Sequence, residues 1–264
     1  MNPFYSYFDD IVCISLKSRP DRQELATTEG EKMGIPFRFY LADKDPRGGL
    51  VGCFKSHFQV IKEAYDNGKK SIMVLEDDFC ASPSYYEPTH LENALKFLNT
   101  SSDWEVLQLG YSPLQDIDKP LGIFKFFTSR YVHPSIIKHV GLCAHCYCIS
   151  RNGMKRLIDY IDDFLKRNDY VHYDKLFCDV FKKQKAYCVV PLLVDQKWCL
   201  TSDNIAITEN DKIARKFQCM AETCKIFYYI SLIVVYRLYI VIFVTIIFIL
   251  IICFRKKIKG NYKK

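Results

Sequence analysis

Glu76-Asp77-Asp78 places three carboxylates in a row after the apolar run Ser71-Ile72-Met73-Val74-Leu75. Acids at that spacing repel one another, so the fold must bring them a positive partner or leave them in water as a solvated turn. A divalent cation carrying a phosphorylated ligand is the partner that chemistry favours. Hard cations take oxygen ligands, and magnesium-like sites combine one or two carboxylates with phosphate oxygens. A second chemically able group lies upstream, in the basic turn Lys17-Ser18-Arg19-Pro20-Asp21-Arg22. The guanidinium forks of Arg19 and Arg22 match phosphate oxygens; the plainer alternative is an exposed pair at a helix start. A third, Cys143-Ala144-His145-Cys146-Tyr147-Cys148, has the residue types of a zinc site. A structural zinc needs four ligands, usually as two spaced pairs, and no matching second pair is evident nearby.

The elements that must position these groups follow from hydrophobic period and punctuation. Residues 11–16 read as a strand, followed by a helix to about Met33 with Ser18 as its N-cap and Pro20 in its first turn; Gly34 and Pro36 stop it. Residues 37–41 read as a second strand. Leu50, Phe54, Phe58, Ile61 and Tyr65 recur at spacings of four, four, three and four, one helical stripe closed by Asn67-Gly68. The acidic strand comes next, then a helix over 89–98 and a strand over 104–109. This alternation predicts an α/β layer with a mostly parallel sheet. Ligands of such sheets bind at the carboxyl ends of the strands, where the acids and the Arg19/Arg22 turn both fall. Residues 111–139, with Pro113, Pro120 and Pro134, are expected as a long loop over the site. A short strand over 146–150, an amphipathic helix over 152–166, a helix over 174–183 and a strand over 186–190 complete the body.

With 264 residues, 49% of them hydrophobic and 15% aromatic, the chain can bury a real core. The formal charge is +7, but six basic residues sit in the tail 255–264, which holds no acid. The rest is close to neutral, and a nucleic-acid partner has no support. Twelve scattered cysteines, and no secretory signal at the start, lead to the expectation of a reduced, cytosolic body with mostly free thiols. Residues 1–200 are expected as this body and 201–225 as a stem. Residues 226–254, apolar on every face but for Arg237, are expected as a single-pass C-terminal transmembrane helix. Arg237 would snorkel to the head groups beside Tyr228, Tyr229, Tyr236 and Tyr239. The basic tail favours the opposite orientation to a cytosolic body.

Several stretches together resemble glycosyltransferase family 25, the lipooligosaccharide and procollagen galactosyltransferases. Ile14-Ser15-Leu16-Lys17-Ser18-Arg19-Pro20-Asp21-Arg22 is similar to its opening strand and Arg-x-x-Arg turn, and Gly52-Cys53-Phe54-Lys55-Ser56-His57 to its Gly-Cys-x-x-Ser-His element. Val74-Leu75-Glu76-Asp77-Asp78 resembles its acidic metal motif. His145-Cys146-Tyr147-Cys148-Ile149-Ser150-Arg151-Asn152-Gly153 resembles its His-Ala-Tyr-x-Ile-Ser-x-x-Gly block, and Pro191-Leu192-Leu193-Val194-Asp195-Gln196 its closing Pro-Pro-Leu-Val-x-Gln. The likeness spans about residues 9–200. It departs at Leu50, where the family usually has Glu, at Ala144, usually Thr, and at His172-Tyr173, usually Pro-Val.

The resemblance implies a GT-A-like nucleotide-sugar-binding sheet flanked by helices, a manganese or magnesium ion and inversion at the anomeric carbon. The donor it implies is a nucleotide sugar, most often UDP-galactose, and the acceptor a hydroxyl of a glycan or glycoprotein, in glycan or lipopolysaccharide biosynthesis. On it, Asp78 is the metal ligand with Glu76, while Glu76 and Asp77 also reach the ion's waters or the nucleotide ribose. Arg19, Arg22, Ser56, His57 and Gln196 line the donor pocket. Asp174 is the general base or a further metal contact, and His145 is catalytic or supporting. The plainer alternatives are a helix-start acid at Asp174, structural histidines at 57 and 145, and a loop amide at Gln196. The alternative function is a catalytically inactive protein that binds a sugar nucleotide or glycan on the same fold.

Overall fold

A computed structural model describes residues 2–113, 123–167, 169–197 and 226–261. Along the chain the strands are β1 (Asp10–Leu16), β2 (Arg38–Ala42), β3 (Ser71–Glu76), β4 (Phe79–Ala81), β5 (Val106–Ser112), β6 (Tyr131–His133), β7 (Ile136–Ile137), β8 (Leu142–Ser150), β9 (Ala186–Val189) and β10 (Val194–Gln196). The helices are α1 (Pro20–Met33), α2 (Gly49–Asp66), α3 (Pro88–Thr100), α4 (Ile123–Phe127), α5 (Arg151–Leu165), α6 (Tyr173–Phe181) and α7 (Ile226–Asn261). Eight strands form one sheet in the order β2-β1-β3-β8-β5-β9-β7-β6, and β10 pairs with β4 in a separate ribbon.

The sheet is mixed, where the alternation of elements predicts a mostly parallel one. β1 runs parallel to β2 and β3, and β5 to β9, but β8 is antiparallel to both of its neighbours, β3 and β5. Parallel pairing of successive strands needs a right-handed crossover, usually helical, and β8 is reached instead from the hairpin β6–β7. That hairpin corrects a second expectation. Residues 131–137 do not form part of a loop over the site; they extend the sheet beyond β9, at the edge opposite β2. Residues 114–122 of the expected loop and the expected stem 201–225 lie outside the described residues, as do the side chains of the basic tail.

Alternation along the central strands divides the core into two layers. Met73, Leu75, Cys146 and Cys148 pack with Ala26 and Met33 of α1, with Leu91, Ala94, Phe97 and Leu98 of α3, and with the N-terminal aromatics Phe4, Tyr5 and Phe8. Ile72, Val74, Tyr147 and Ile149 face α2, α5 and α6 on the other side. Cys146 and Cys148 are thus small core side chains, which removes the zinc reading of their segment. None of the eight described cysteines is in a disulfide.

Helix ends differ slightly from the sequence reading. The residue preceding α1 is Arg19, not Ser18, with Pro20 opening the helix, and Gly34 closes it at a left-handed φ of 66°. The buried side of α2 runs through Phe54, His57, Ile61 and Ala64. Leu50, Phe58 and Tyr65 flank that line half-buried, so His57 belongs to the core face itself.

α7 departs most from expectation. Its first half is docked on the body: Tyr228 Oη is 3.1 Å from Ser84 Oγ, and the Leu192 N–H donates to Ser231 Oγ at 2.9 Å. Tyr228 and Val234 join a third buried cluster with Tyr111, Phe126, Val190 and Leu192. Arg237 Nη1 donates to the carbonyls of Phe127 (3.0 Å) and Ser129 (2.7 Å), so its charge is tied into the body and not directed at head groups. Beyond it the helix turns by 65°. Among the described residues no single helix is long and apolar enough to cross a membrane; Tyr228–Arg237 and Tyr239–Ile252 reach that length and hydropathy only as a bent pair. The second half exposes apolar side chains throughout, Phe243 and Phe248 among them.

Ser231→Ala leaves the buried Leu192 N–H without its acceptor and is expected to cost about 1–3 kcal/mol. A melting temperature several degrees lower checks this; an unchanged one would contradict the docking of α7.

Candidate active site

The parallel register of β1 and β3 sets Ile14 opposite Glu76, so both strands end at the same edge. Chain direction then brings three segments together there: the turn from β1 into α1, the acids leaving β3, and β10. Arg22, in the first turn of α1, donates from Nη1 to Asp77 (2.8 Å) and approaches Asp78 with Nη2 (3.4 Å). Ser15 Oγ donates to Asp77 at 2.6 Å. The ribbon places Gln196 opposite Phe79, and Gln196 Nε2 lies 3.4 Å from Glu76 and 3.3 Å from Asp78. The Lys197 N–H closes the ribbon on the Asp78 carbonyl at 2.7 Å.

His57 rises from α2 beneath Glu76. Its Nε2 is 3.1 Å from Glu76 Oε1 and its Nδ1 3.1 Å from Tyr147 Oη, which in turn meets Tyr173 Oη at 3.1 Å. The imidazole stacks on the Tyr173 ring with centroids 4.2 Å apart. One end of the ring is therefore held by tyrosines while the other addresses the carboxylate.

The expected site residues divide by role. Glu76, Asp78 and Gln196 converge, with His57 behind Glu76. Asp77 borders the cleft but is buried and held by Arg22 and Ser15, so it anchors the turn. Arg22 likewise turns both terminal nitrogens to carboxylates, where a phosphate contact is expected. Arg19 forks onto Asp21 at the helix start, with its charge still acting on Asp77. Ser56 donates to the Gly52 carbonyl of its own helix at 2.8 Å while lining the cleft.

Asp174 sits in the first turn of α6, close enough for its charge to act on Glu76 and His57. His145 is fully buried; its Nε2–H donates to the Val194 carbonyl at 3.2 Å. A side chain at Gly110 would collide with this ring at 2.2 Å, so glycine there lets the histidine lie against β5. Among the described residues, two buried side-chain nitrogens have no partner, Arg22 Nε and His145 Nδ1. The sequence reading missed Tyr147 and Tyr173 as clamps, and Cys53, Lys44 and Asp45 as lining of the cleft of about 110 Å³ in front of Glu76. Two of these carried a signal: Cys53 lies one helical turn before His57, and Tyr147 lies two residues after His145 in the same motif.

Electrostatics favour a cation. Burial pushes the Glu76 carboxyl up to about 7, assisted by the charge of Asp174. Burial raises Asp77 to about 6 against the pull of Arg22 and Ser15, and raises Asp78 with the help of Glu76. His57, lowered to about 4 by burial, stays neutral and does not offset them. The carboxylate oxygens of Glu76 and Asp78, bridged by the Gln196 amide, form a hard donor pair, which fits a manganese or magnesium ion.

Because Glu76 has a higher carboxyl value in the fold than its ordinary 4.5, its contribution to stability is present below that value and is lost as pH rises to about 7 and beyond. The depressed histidines 57 and 139 change in the opposite sense over part of this range. Glu76→Gln isolates the carboxylate. Its melting temperature is expected to gain on wild type between about pH 5 and pH 8, and manganese at the upper pH to narrow the gap by stabilising wild type. A difference independent of pH would overturn the buried, uncompensated charge.

The family model "Glycosyltransferase family 25 (LPS biosynthesis protein)" matches residues 47–177. Procollagen galactosyltransferase 1-A of Xenopus laevis is 28% identical over 211 residues, 64% of this chain and 31% of its own length. A Haemophilus influenzae protein named as a glycosyltransferase is 27% identical over 224 residues, 72% of this chain and 71% of its own. The chain spans about a third of the length of the animal relatives it matches. A solved glycosyltransferase involved in glycosylation of the major capsid of PBCV-1 overlays with a TM-score of 0.44 at 10% identity, covering 80% of this chain and 99% of that chain. On the family model and these relatives, the chain carries a glycosyltransferase family 25 domain.

Proposed function

We propose that this chain transfers a hexose from a nucleotide sugar to a hydroxyl of a glycan or protein acceptor, with inversion, on a sheet of the GT-A type. The observation that supports it most is the convergence of Glu76, Asp78 and Gln196 beyond β3, with Asp174 within electrostatic reach. Asp78 and Glu76 would hold a manganese or magnesium ion, which when bound stabilises the charge of a departing diphosphate as a Lewis acid. Gln196 keeps the two carboxylates apart and oriented through its amide. Arg22 and Ser15 hold Asp77 behind them, so that the turn keeps its shape. The neutral His57, pinned by Tyr147 and Tyr173, fixes the rotamer of Glu76. Asp174 takes the proton of the acceptor hydroxyl as it attacks, and a single displacement inverts the anomeric carbon. The cleft walled by Ile14, Leu16, Ala42 and Gly52 receives the nucleoside.

The naming of the frog relative as a galactosyltransferase supports galactose, and UDP-galactose as donor. The exposed apolar stretch Tyr239–Ile252 supports membrane association, with the body read as cytosolic. Full-length protein is expected to sediment with membranes; recovery in the soluble fraction removes the anchor reading, and protease access to the tail in sealed vesicles reports the side.

Incubation with manganese and a panel of nucleotide sugars, followed by release of the nucleotide, tests the reaction. Wild type is expected to turn over UDP-galactose fastest. Asp78→Asn should lose about a hundredfold or more, corresponding to several kcal/mol of charge stabilisation. Asp174→Asn should lose about 10²–10⁴-fold as expected for a missing base. Equal turnover by Asp78→Asn rules out the metal role, and donor binding without turnover for every sugar rules out the transferase.

A further inference from the structure

Cys53 and His57 stand one turn apart on α2, and Glu76 meets them from the end of β3. Their ligating atoms, a thiol sulfur, an imidazole nitrogen and a carboxylate oxygen, all lie within 4.8 Å of one another. A tetrahedral zinc with bonds of about 2.0–2.3 Å holds such atoms roughly 3.3–3.8 Å apart. The three side chains therefore need only to close by about an ångström to form one face of that tetrahedron.

The ring of His57 is already aimed. Metal-ligating histidines are oriented by a hydrogen bond at the other nitrogen. Here Nδ1 meets Tyr147 Oη at 3.1 Å, Tyr173 stacks on the ring at 4.2 Å, and Nε2 faces Glu76. The donor set is a thiolate, an imidazole and one carboxylate, which selects zinc over magnesium, manganese or calcium. All three residues border the cleft that also holds Asp78, which leaves the fourth position open to that cleft.

We propose that Cys53, His57 and Glu76 form a second cation site that takes a thiophilic divalent ion of the zinc class and shares Glu76 with the hard-ion site at Asp78. Binding forms a sulfur–metal bond, and the thiol proton passes to the buffer together with the proton shared between His57 and Glu76. Since one carboxylate serves both ions, zinc at this site withdraws Glu76 from the hard ion and slows sugar transfer. That consequence, unlike the site itself, rests on the proposed function.

Cobalt(II) added to the full-length protein without any nucleotide sugar tests the site. We expect one equivalent to bind with a thiolate-to-cobalt charge-transfer absorption that zinc bleaches, that Cys80→Ser keeps and that Cys53→Ser loses. Absence of the band in wild type, or its survival in Cys53→Ser, overturns the proposal. If the band behaves as expected while no sugar donor is turned over, the cation site stands and the transferase reading fails. Where transfer is observed, half-inhibition should need at least about tenfold more zinc in Cys53→Ser, since loss of a direct ligand weakens a site no less than the roughly 10–100-fold that follows loss of a ligand's hydrogen-bonded supporting partner. Equal sensitivity of the two proteins overturns the competition for Glu76.

Discussion

The contact on which the rest of the site depends is the buried pair of Arg22 and Asp77. Three acids leave a buried strand together, and they cannot all remain ionised in a low-dielectric edge without compensation. Arg22 neutralises the middle one from the first turn of α1, and Ser15 adds a hydrogen bond from β1. Removing one partner from such a pair generally costs about 3–5 kcal/mol, because the other is left charged and unpaired. The pair also points its neighbours. With Asp77 turned back toward α1, alternation sends Glu76 toward α2 and frees Asp78 to face β10.

What stands in front of that anchor is arranged by two further devices. On one side, aromatic stacking of Tyr173 on His57, with Tyr147 between them by hydrogen bonds, fixes the imidazole under Glu76. On the other, the short ribbon of β4 and β10 carries Gln196 over both acids. The same ribbon leads directly to α7. Ser231 holds the backbone of Leu192 just before β10, and Tyr228 holds Ser84 just after β4. A helix that reads as a detached anchor is in this way packed against the element that positions Gln196 and Asp78.

The match of residues 47–177 to the glycosyltransferase family 25 model and the local chemistry agree on where to look, but they weight the residues differently. Family likeness makes Asp78 and Glu76 the metal ligands and sets Asp77 and the two arginines against the donor. The geometry separates them into an inner pair that supports, Arg22 and Asp77, and an outer set that is available, Glu76, Asp78 and Gln196. The pressure on Glu76, raised to about 7 by burial and by Asp174, marks the outer set as the place where positive charge stabilises the fold.

Much of this was legible in one dimension. The strand run into Glu76, the Pro20 opening and Gly34 end of α1, and the amphipathic α5 follow from local sterics and from the period of apolar residues, which any segment carries within itself. That the acids at a strand end and the basic turn before them meet at one edge was also legible. Tertiary structure alone decided that β8 enters antiparallel and that residues 131–137 pair at the far edge. It also decided that Arg22 binds Asp77, that Arg237 caps carbonyls of the body, and that Cys53 meets Glu76. Each of these is a contact between segments far apart in the chain. Sequence period states which face of an element is buried, but only packing states which partner lies against it.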